Sequence, residues 1–238
     1  MSRNCGRPAI YPSDTIITLT SIPPRFPALG EVLESLLSQG AARVILCLPP
    51  AYRRFPGGVV PPPLPNGVTL LWSDQDHGPA TKLLPTLRAF PHAPLVYCDD
   101  DCLYGPEWLA ALCAAARPGE VTAGSGWSVD RLKRQGAAPP FSDIAQGFSG
   151  VLIQGPMLDP RVFQVPEVAR PVDDIWLSGL RALSGTPLRI APGARACVTP
   201  LDRQGALQTH TARAADNAAA ARYLWKRFGI WPPTRPGM

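Results

Sequence analysis

The chain has 238 residues, 45% of them apolar, with 23 Lys and Arg against 18 Asp and Glu for a net charge of +5. That is apolar material enough for one large α/β domain, and it excludes a chain disordered throughout. The positive charge is mostly scattered arginine, densest at Arg131, Lys133 and Arg134 and without interleaved aromatics, so it reads as a solvated surface and nucleic acid is not an expected partner.

Residues 1–13 read as a loose lead-in. A β-rich run at 15–20 ends at Ser21-Ile22-Pro23-Pro24-Arg25, so the first strand stops at a polar, proline-stiffened loop. Val32, Leu33, Leu36 and Leu37 follow at helical spacing, with Gly40 as a stop signal. Residues 43–48 predict a second strand and 68–72 a third, separated by a loop rich in proline and glycine. The third strand runs into Ser73-Asp74-Gln75-Asp76-His77-Gly78-Pro79, and a helix is expected over about 80–90. Residues 94–98 form a fourth strand that runs directly into Asp99-Asp100-Asp101, followed by a helix over about 106–117.

Four strand–helix alternations argue for a mostly parallel sheet with helices on both faces. Ligands of such sheets bind at the carboxyl ends of the strands, where the loops after strands 1, 3 and 4 would meet. The second half is less regular. Strands are expected at 121–123, 151–153 and 188–191, a connecting loop at 125–147, and helices over 175–183 and about 212–228. The expected organisation is one domain over 1–238, with a core at about 14–191 and a helical extension at about 192–238.

The 30 prolines cluster where loops are expected, since proline lacks the N–H that helix interiors and central strands need. Of the six cysteines, Cys47, Cys98 and Cys113 lie in apolar runs, and none forms a Cys-x-x-Cys pair. Small buried hydrophobes are therefore the default rather than a zinc site. No apolar leader is evident and no stretch approaches the length of a membrane span. The expected location is the cytoplasm, with at most peripheral contact at the inner face of the membrane.

Three adjacent carboxylates at a strand end repel one another unless a cation or donors compensate. Strand alternation puts Asp99 and Asp101 on one side and Asp100 on the other. Asp101 then suits a hard divalent cation, Mn²⁺ or Mg²⁺, with Asp99 near a ribose hydroxyl or as a second ligand. The competing reading is an acidic turn capping the next helix. Lys82, near the start of the expected helix, suits a phosphate, as does Arg25; each is equally readable as a surface residue. Asp173 and Asp174 precede the helix at 175–183, where an aspartate also serves as an N-cap. His210 is a candidate third metal ligand, against the commoner role of an ordinary surface or core histidine.

Taken in order, Thr20-Ser21 with Arg25, Asp76 through Lys82, Tyr97 through Asp101, Gly147 through Gly150, and Val172 through Trp176 resemble bacterial glycosyltransferases of the GT-A fold, family 2-like, and more distantly exostosin-type enzymes. The resemblance covers roughly 14–191. It implies an α/β nucleotide-diphospho-sugar transferase fold. It also implies a nucleoside diphosphate sugar donor, with UDP favoured, and a saccharide or glycolipid acceptor. Asp101, Asp99 and His210 would hold the metal. Thr20, Ser21, Arg25, Asp76, Lys82, Asp99, Asp100 and Gly150 would meet the donor, and Asp174 with Asp173 would supply the catalytic carboxylates. A nucleotidyltransferase would usually carry a glycine-rich loop after strand 1, which is lacking here. A non-catalytic nucleotide- or sugar-binding protein on the same scaffold is the alternative from a different class.

Overall fold

The computed structural model describes residues 10–136, 143–201 and 210–234, the last stretch without the side chains of residues 210 and 211. In chain order the strands are β1 (Ile16–Thr20), β2 (Arg43–Leu48), β3 (Val68–Trp72), β4 (Leu95–Tyr97), β5 (Cys102–Tyr104), β6 (Val121–Ala123), β7 (Gly126–Trp127), β8 (Ile144–Ala145), β9 (Val151–Ile153), β10 (Leu188–Ile190) and β11 (Val198–Pro200). The α-helices are α1 (Leu29–Leu37), α2 (Leu84–Ala89), α3 (Trp108–Ala115), α4 (Asp173–Leu183), α5 (Pro192–Ala196) and α6 (His210–Phe228).

Seven strands form one sheet in the order β10-β6-β9-β4-β1-β2-β3. All neighbours are parallel except β9, which runs antiparallel to both β4 and β6. This is the mostly parallel, helix-flanked α/β architecture expected from the alternation of elements. Two small antiparallel pairs, β5 with β11 and β7 with β8, lie outside it.

Successive residues of a strand face opposite sides, and both sides are covered here. Ile17 and Leu19 of β1 pack with Leu33 and Leu36 of α1 and Trp108 and Leu112 of α3. Ile16 of β1, Ile45 of β2 and Tyr97 of β4 pack on the other face with Leu84 of α2, Trp176 of α4 and Leu224 of α6. Leu33, Leu36 and Leu224 are fully buried, and each such leucine contributes about 1.5–3 kcal/mol. β3 and β10 are the edge strands, and Trp72 of β3 is exposed.

The helix expected at 80–90 is divided. A 3₁₀ turn covers Gly78–Lys82, and α2 begins only at Leu84. Pro79 sits at the start of the turn, and Pro85, which cannot donate a backbone hydrogen bond, sits in the first turn of α2. Lys82 is therefore not near the N-terminus of a long α-helix, and the phosphate expectation based on a helix terminus does not hold for it. Among the described residues, no helix is long and apolar enough to cross a membrane.

Candidate active site

β1 and β4 are paired in register, with Thr18 opposite Tyr97, so the residues that follow them emerge at one sheet edge. There Ser21 Oγ donates to Asp100 Oδ2 at 2.5 Å, and Arg25 Nη1 bonds Asp100 Oδ1. Arg25 lies in a 3₁₀ turn, Pro23–Ala28, that the prolines favour. Both partners of this ion pair are buried, with side-chain exposures of 9% and 6%. Arg25 Nη2 also reaches Asp101 Oδ2 at 3.1 Å. The strict alternation expected for the aspartate triplet thus fails. The strand ends at Tyr97, and Asp100 and Asp101 both turn towards Arg25.

The Gly78–Lys82 turn is held against the sheet by Thr18, whose hydroxyl donates to Lys82 O at 2.6 Å and shares a hydrogen bond with Thr86 at 2.7 Å. His77 is buried beside it, with Nε2 3.0 Å from Asp74 Oδ1 and its backbone N–H on Thr81 Oγ1. These contacts aim Lys82 inward, where Nζ pairs with Asp99 Oδ1 and lies 2.8 Å from Asp173 Oδ2. Burial alone would lower the Lys82 ammonium, but the carboxylates of Asp173, Asp99 and Asp174 hold its pKa well above the usual value.

Asp173 and Asp174 fall in the first turn of α4, and neither caps it; the cap position is Val172. Their charges suit a helix N-terminus, but their oxygens serve the site. Asp174 Oδ1 accepts the Gly147 N–H at 3.0 Å. Burial, followed by repulsion from Asp173, raises Asp174 to about 7, against the opposing pull of Lys82. Burial also raises Asp100, outweighing Arg25 and Ser21.

Two cavities meet at this cluster. One, of about 550 Å³, includes Thr20, Ser21, Arg25, Tyr52, Asp76 and Lys82 in its lining. The other, of about 570 Å³, includes Trp127, Arg131, Gln146, Phe148 and Asn217. Asp99, Asp101, Asp173, Asp174 and Arg213 line both.

The remaining predicted residues are placed as follows. The Thr20 hydroxyl donates to Cys47 O at 2.7 Å, within the sheet, while the residue lines the first cavity. Asp76 accepts the backbone N–H groups of Gly78 and Arg53 at 2.8 and 2.9 Å, bracing the rim of that cavity. Gly150, at φ 86°, packs under Trp108, where a Cβ would lie 2.3 Å from the ring, and it lines neither cavity. Gly147 lies against the carboxylate cluster instead: a Cβ there would lie 2.6 Å from Lys82 Nζ and 3.2 Å from Asp99 Oδ1, while Gly78 lines the first cavity. His210 begins α6, and its side chain lies outside the described residues.

Sequence reasoning missed Tyr104 and Tyr52. Tyr104 Oη accepts the Asp99 N–H at 3.1 Å and donates towards the carbonyls of Asp99 and Phe148. Tyr52 Oη donates to Ser21 O at 2.6 Å, and both residues line the first cavity. An isolated tyrosine carries no motif, so neither had a signal in the sequence.

Among the described residues, no three His, Cys, Asp or Glu side chains form a cage for a metal ion. A hard divalent cation bound mainly by substrate phosphates needs only one or two protein carboxylates, and Asp101 and Asp99 are about one-third exposed towards the cavities. Five carboxylates converge here on two buried cations, so negative charge is in excess. That donor set fits Mg²⁺ or Mn²⁺.

No protein-family model matches the chain, and no curated protein matches it. Among solved structures it is similar to a mannosyltransferase from Pyrobaculum calidifontis in complex with GDP-mannose and Mn²⁺, at 16% identity and a TM-score of 0.49. The similarity covers 79% of this chain but 56% of that one, so the chain spans little more than half the length of the protein it matches.

Proposed function

We propose that the protein is a GT-A-type glycosyltransferase, formed by one domain over the whole chain. It would transfer a hexosyl or N-acetylhexosaminyl group from a nucleoside diphosphate sugar to a hydroxyl of a saccharide or glycolipid. The observation that carries this reading is the junction of the two cavities. A donor in one and an acceptor in the other would meet at a shared set of carboxylates, which is what group transfer between two substrates needs.

Thr20, Ser21, Arg25 and Asp76 would contact the nucleotide side, with Arg25 fixed by Asp100 before substrate arrives. Asp101 and Asp99 would hold Mn²⁺ or Mg²⁺, which supplies positive charge for the departing diphosphate. Lys82 keeps Asp99 and Asp173 in place and adds fixed positive charge beside them. Asp174, with a pKa of about 7, suits a general base that takes the proton from the acceptor hydroxyl. Trp127 and Phe148 offer apolar faces to a sugar ring in the acceptor cavity. A place in surface polysaccharide synthesis, at the cytoplasmic face of a membrane, is the setting this chemistry suits.

Calorimetric titration with UDP and with GDP, each with and without Mn²⁺, tests the donor site. The expected result is metal-dependent binding of one nucleotide, UDP being the first to try, and loss of that binding in Asp101→Ala. Failure of the folded protein to bind either would overturn the assignment.

A further inference from the structure

The basic group Arg131, Lys133 and Arg134, read from sequence as a solvated surface, does not stand alone in the fold. It lies on and just after a 3₁₀ turn, Val129–Leu132, that packs against α6. The Arg134 guanidinium sits over the Trp225 ring of α6, 5.5 Å from its centroid. Arg222 is close enough to Arg134 that burial and this second guanidinium together lower the Arg134 pKa. Lys226 follows Arg222 by one helical turn, and Arg131, Lys133, Arg222 and Lys226 are all exposed. The 3₁₀ turn carries a single acid, Asp130.

None of those four exposed cations makes an ion pair with a described residue. Arg134 is buried, and its Nη1 lacks a hydrogen-bond partner. Trp225 is one of three exposed large hydrophobic residues among those described, and it stands in the middle of the charges, 37% exposed. Clustered like charges cost free energy in an isolated fold and are compensated by a surface of opposite sign. One amphipathic indole among lysines and arginines suits the boundary between headgroups and acyl chains; a strand of nucleic acid would call for a series of stacking faces along a groove.

We propose that this patch docks the protein on an anionic lipid bilayer, with Arg131, Lys133, Arg222 and Lys226 facing phosphate headgroups and Trp225 seated at the interface. Arg131 also lines the cavity that contains Asp174. On the transferase reading, and resting on it, docking turns the acceptor-side cavity towards acceptors attached to lipid.

The test is co-sedimentation of the full chain with phosphatidylcholine vesicles, pure or containing roughly one-third phosphatidylglycerol. The wild-type protein is expected to sediment with the anionic vesicles only, and to be released as salt shortens the screening length from about 10 Å at 0.1 M to about 3 Å at 1 M. Arg222→Glu/Lys226→Glu is expected to weaken partitioning at least about tenfold, and the milder Arg222→Gln/Lys226→Gln to weaken it less. Trp225→Ala should reduce it with no change in net charge. Arg43→Glu/Arg117→Glu, which changes the net charge equally at two exposed sites outside the patch, should remain close to wild type. Circular dichroism establishes that each variant is folded. Absence of the wild type from anionic vesicles, equal losses in the patch and control pairs, or preference for a DNA oligonucleotide over vesicles would each overturn the proposal. Nucleotide binding is read separately, so failure here leaves the donor site untouched.

Discussion

The triplet Asp99-Asp100-Asp101 and the pair Asp173-Asp174 look alike in sequence and divide their labour in the same way in the fold. In the triplet, Asp100 is committed to the protein through Ser21 and Arg25, while Asp101 stays about one-third exposed, 3.1 Å from Arg25 and with a weak thiol donor, Cys102 Sγ, at 3.9 Å. In the pair, Asp173 is tied to Lys82, while Asp174 keeps one hydrogen bond, from Gly147, and carries a raised pKa. Each run thus contains carboxylates paired to buried cations, Asp99 and Asp100 in the triplet and Asp173 in the pair, and one left freer for chemistry. Adjacent acids are not redundant copies, and substituting them one at a time should give distinct phenotypes.

The largest effect on stability is expected from the fixed half of the triplet. Arg25→Met leaves Asp100 buried with only the Ser21 hydroxyl for company. Removing one partner of a buried ion pair costs about 3–5 kcal/mol, because the other charge stays desolvated. Urea unfolding at pH 8 should show a loss of about 3 kcal/mol, much of it restored in Arg25→Met/Asp100→Leu. A loss below about 1 kcal/mol would show that Asp100 finds water or another donor, and the division of labour in the triplet would collapse.

Asp174 provides the contrast, because its ionised form is held at a cost. Its folded value of about 7 lies above that of an unstructured aspartate, about 3.9. The folded protein therefore keeps a proton that the unfolded chain releases. The stability linked to this group is complete below about pH 4 and is lost as the pH rises to about 7. In chelator-treated protein, Asp174→Asn should be the more stable form at pH 8 and equal to wild type at pH 4. With donor and metal present, the same variant should lose at least about a hundredfold in transfer rate. A variant that is destabilised at pH 8 would mean that Asp174 is structural, like Asp173.

The two runs were legible in the sequence because consecutive aspartates at a strand end, or just before a helix, need compensation that composition alone does not supply. The order of β1 to β4 was legible for a related reason: short apolar runs closed by proline or glycine. The strands β5 and β11 were not, because their pairing joins Cys102–Tyr104 to Val198–Pro200 across the chain, and neither segment has a periodicity of its own. β7 and β8 are two residues each, below what any pattern resolves. The extent of the helix at 80–90 was misjudged because Leu83, Leu84 and Leu87 have the right spacing while Pro79 and Pro85 limit where helical hydrogen bonds begin. Gly147 passed unnoticed as a site residue beside Gly150. The need for a bare Cα there arises only when Lys82 and Asp99 arrive from elsewhere.

The smallest of the expected effects probes how the triplet is aimed rather than what it carries. Tyr104 lies on β5, three residues past the triplet's end, and its hydroxyl links the backbone of Asp99 to that of Phe148. The ring itself stacks on Trp108, with centroids 4.4 Å apart, so Tyr104→Phe keeps the packing and removes only the hydroxyl. The Asp99 N–H then loses its partner, at a cost of about 1 kcal/mol in unfolding free energy. Phe148 lines the acceptor-side cavity and Asp99 lines both, so a loosened link should raise the acceptor KM more than it lowers kcat. Equal changes in the two constants would place the hydroxyl with the groups acting in the transition state. No change in either, with the expected stability loss, would leave Tyr104 a core residue whose position beside the triplet has no bearing on transfer.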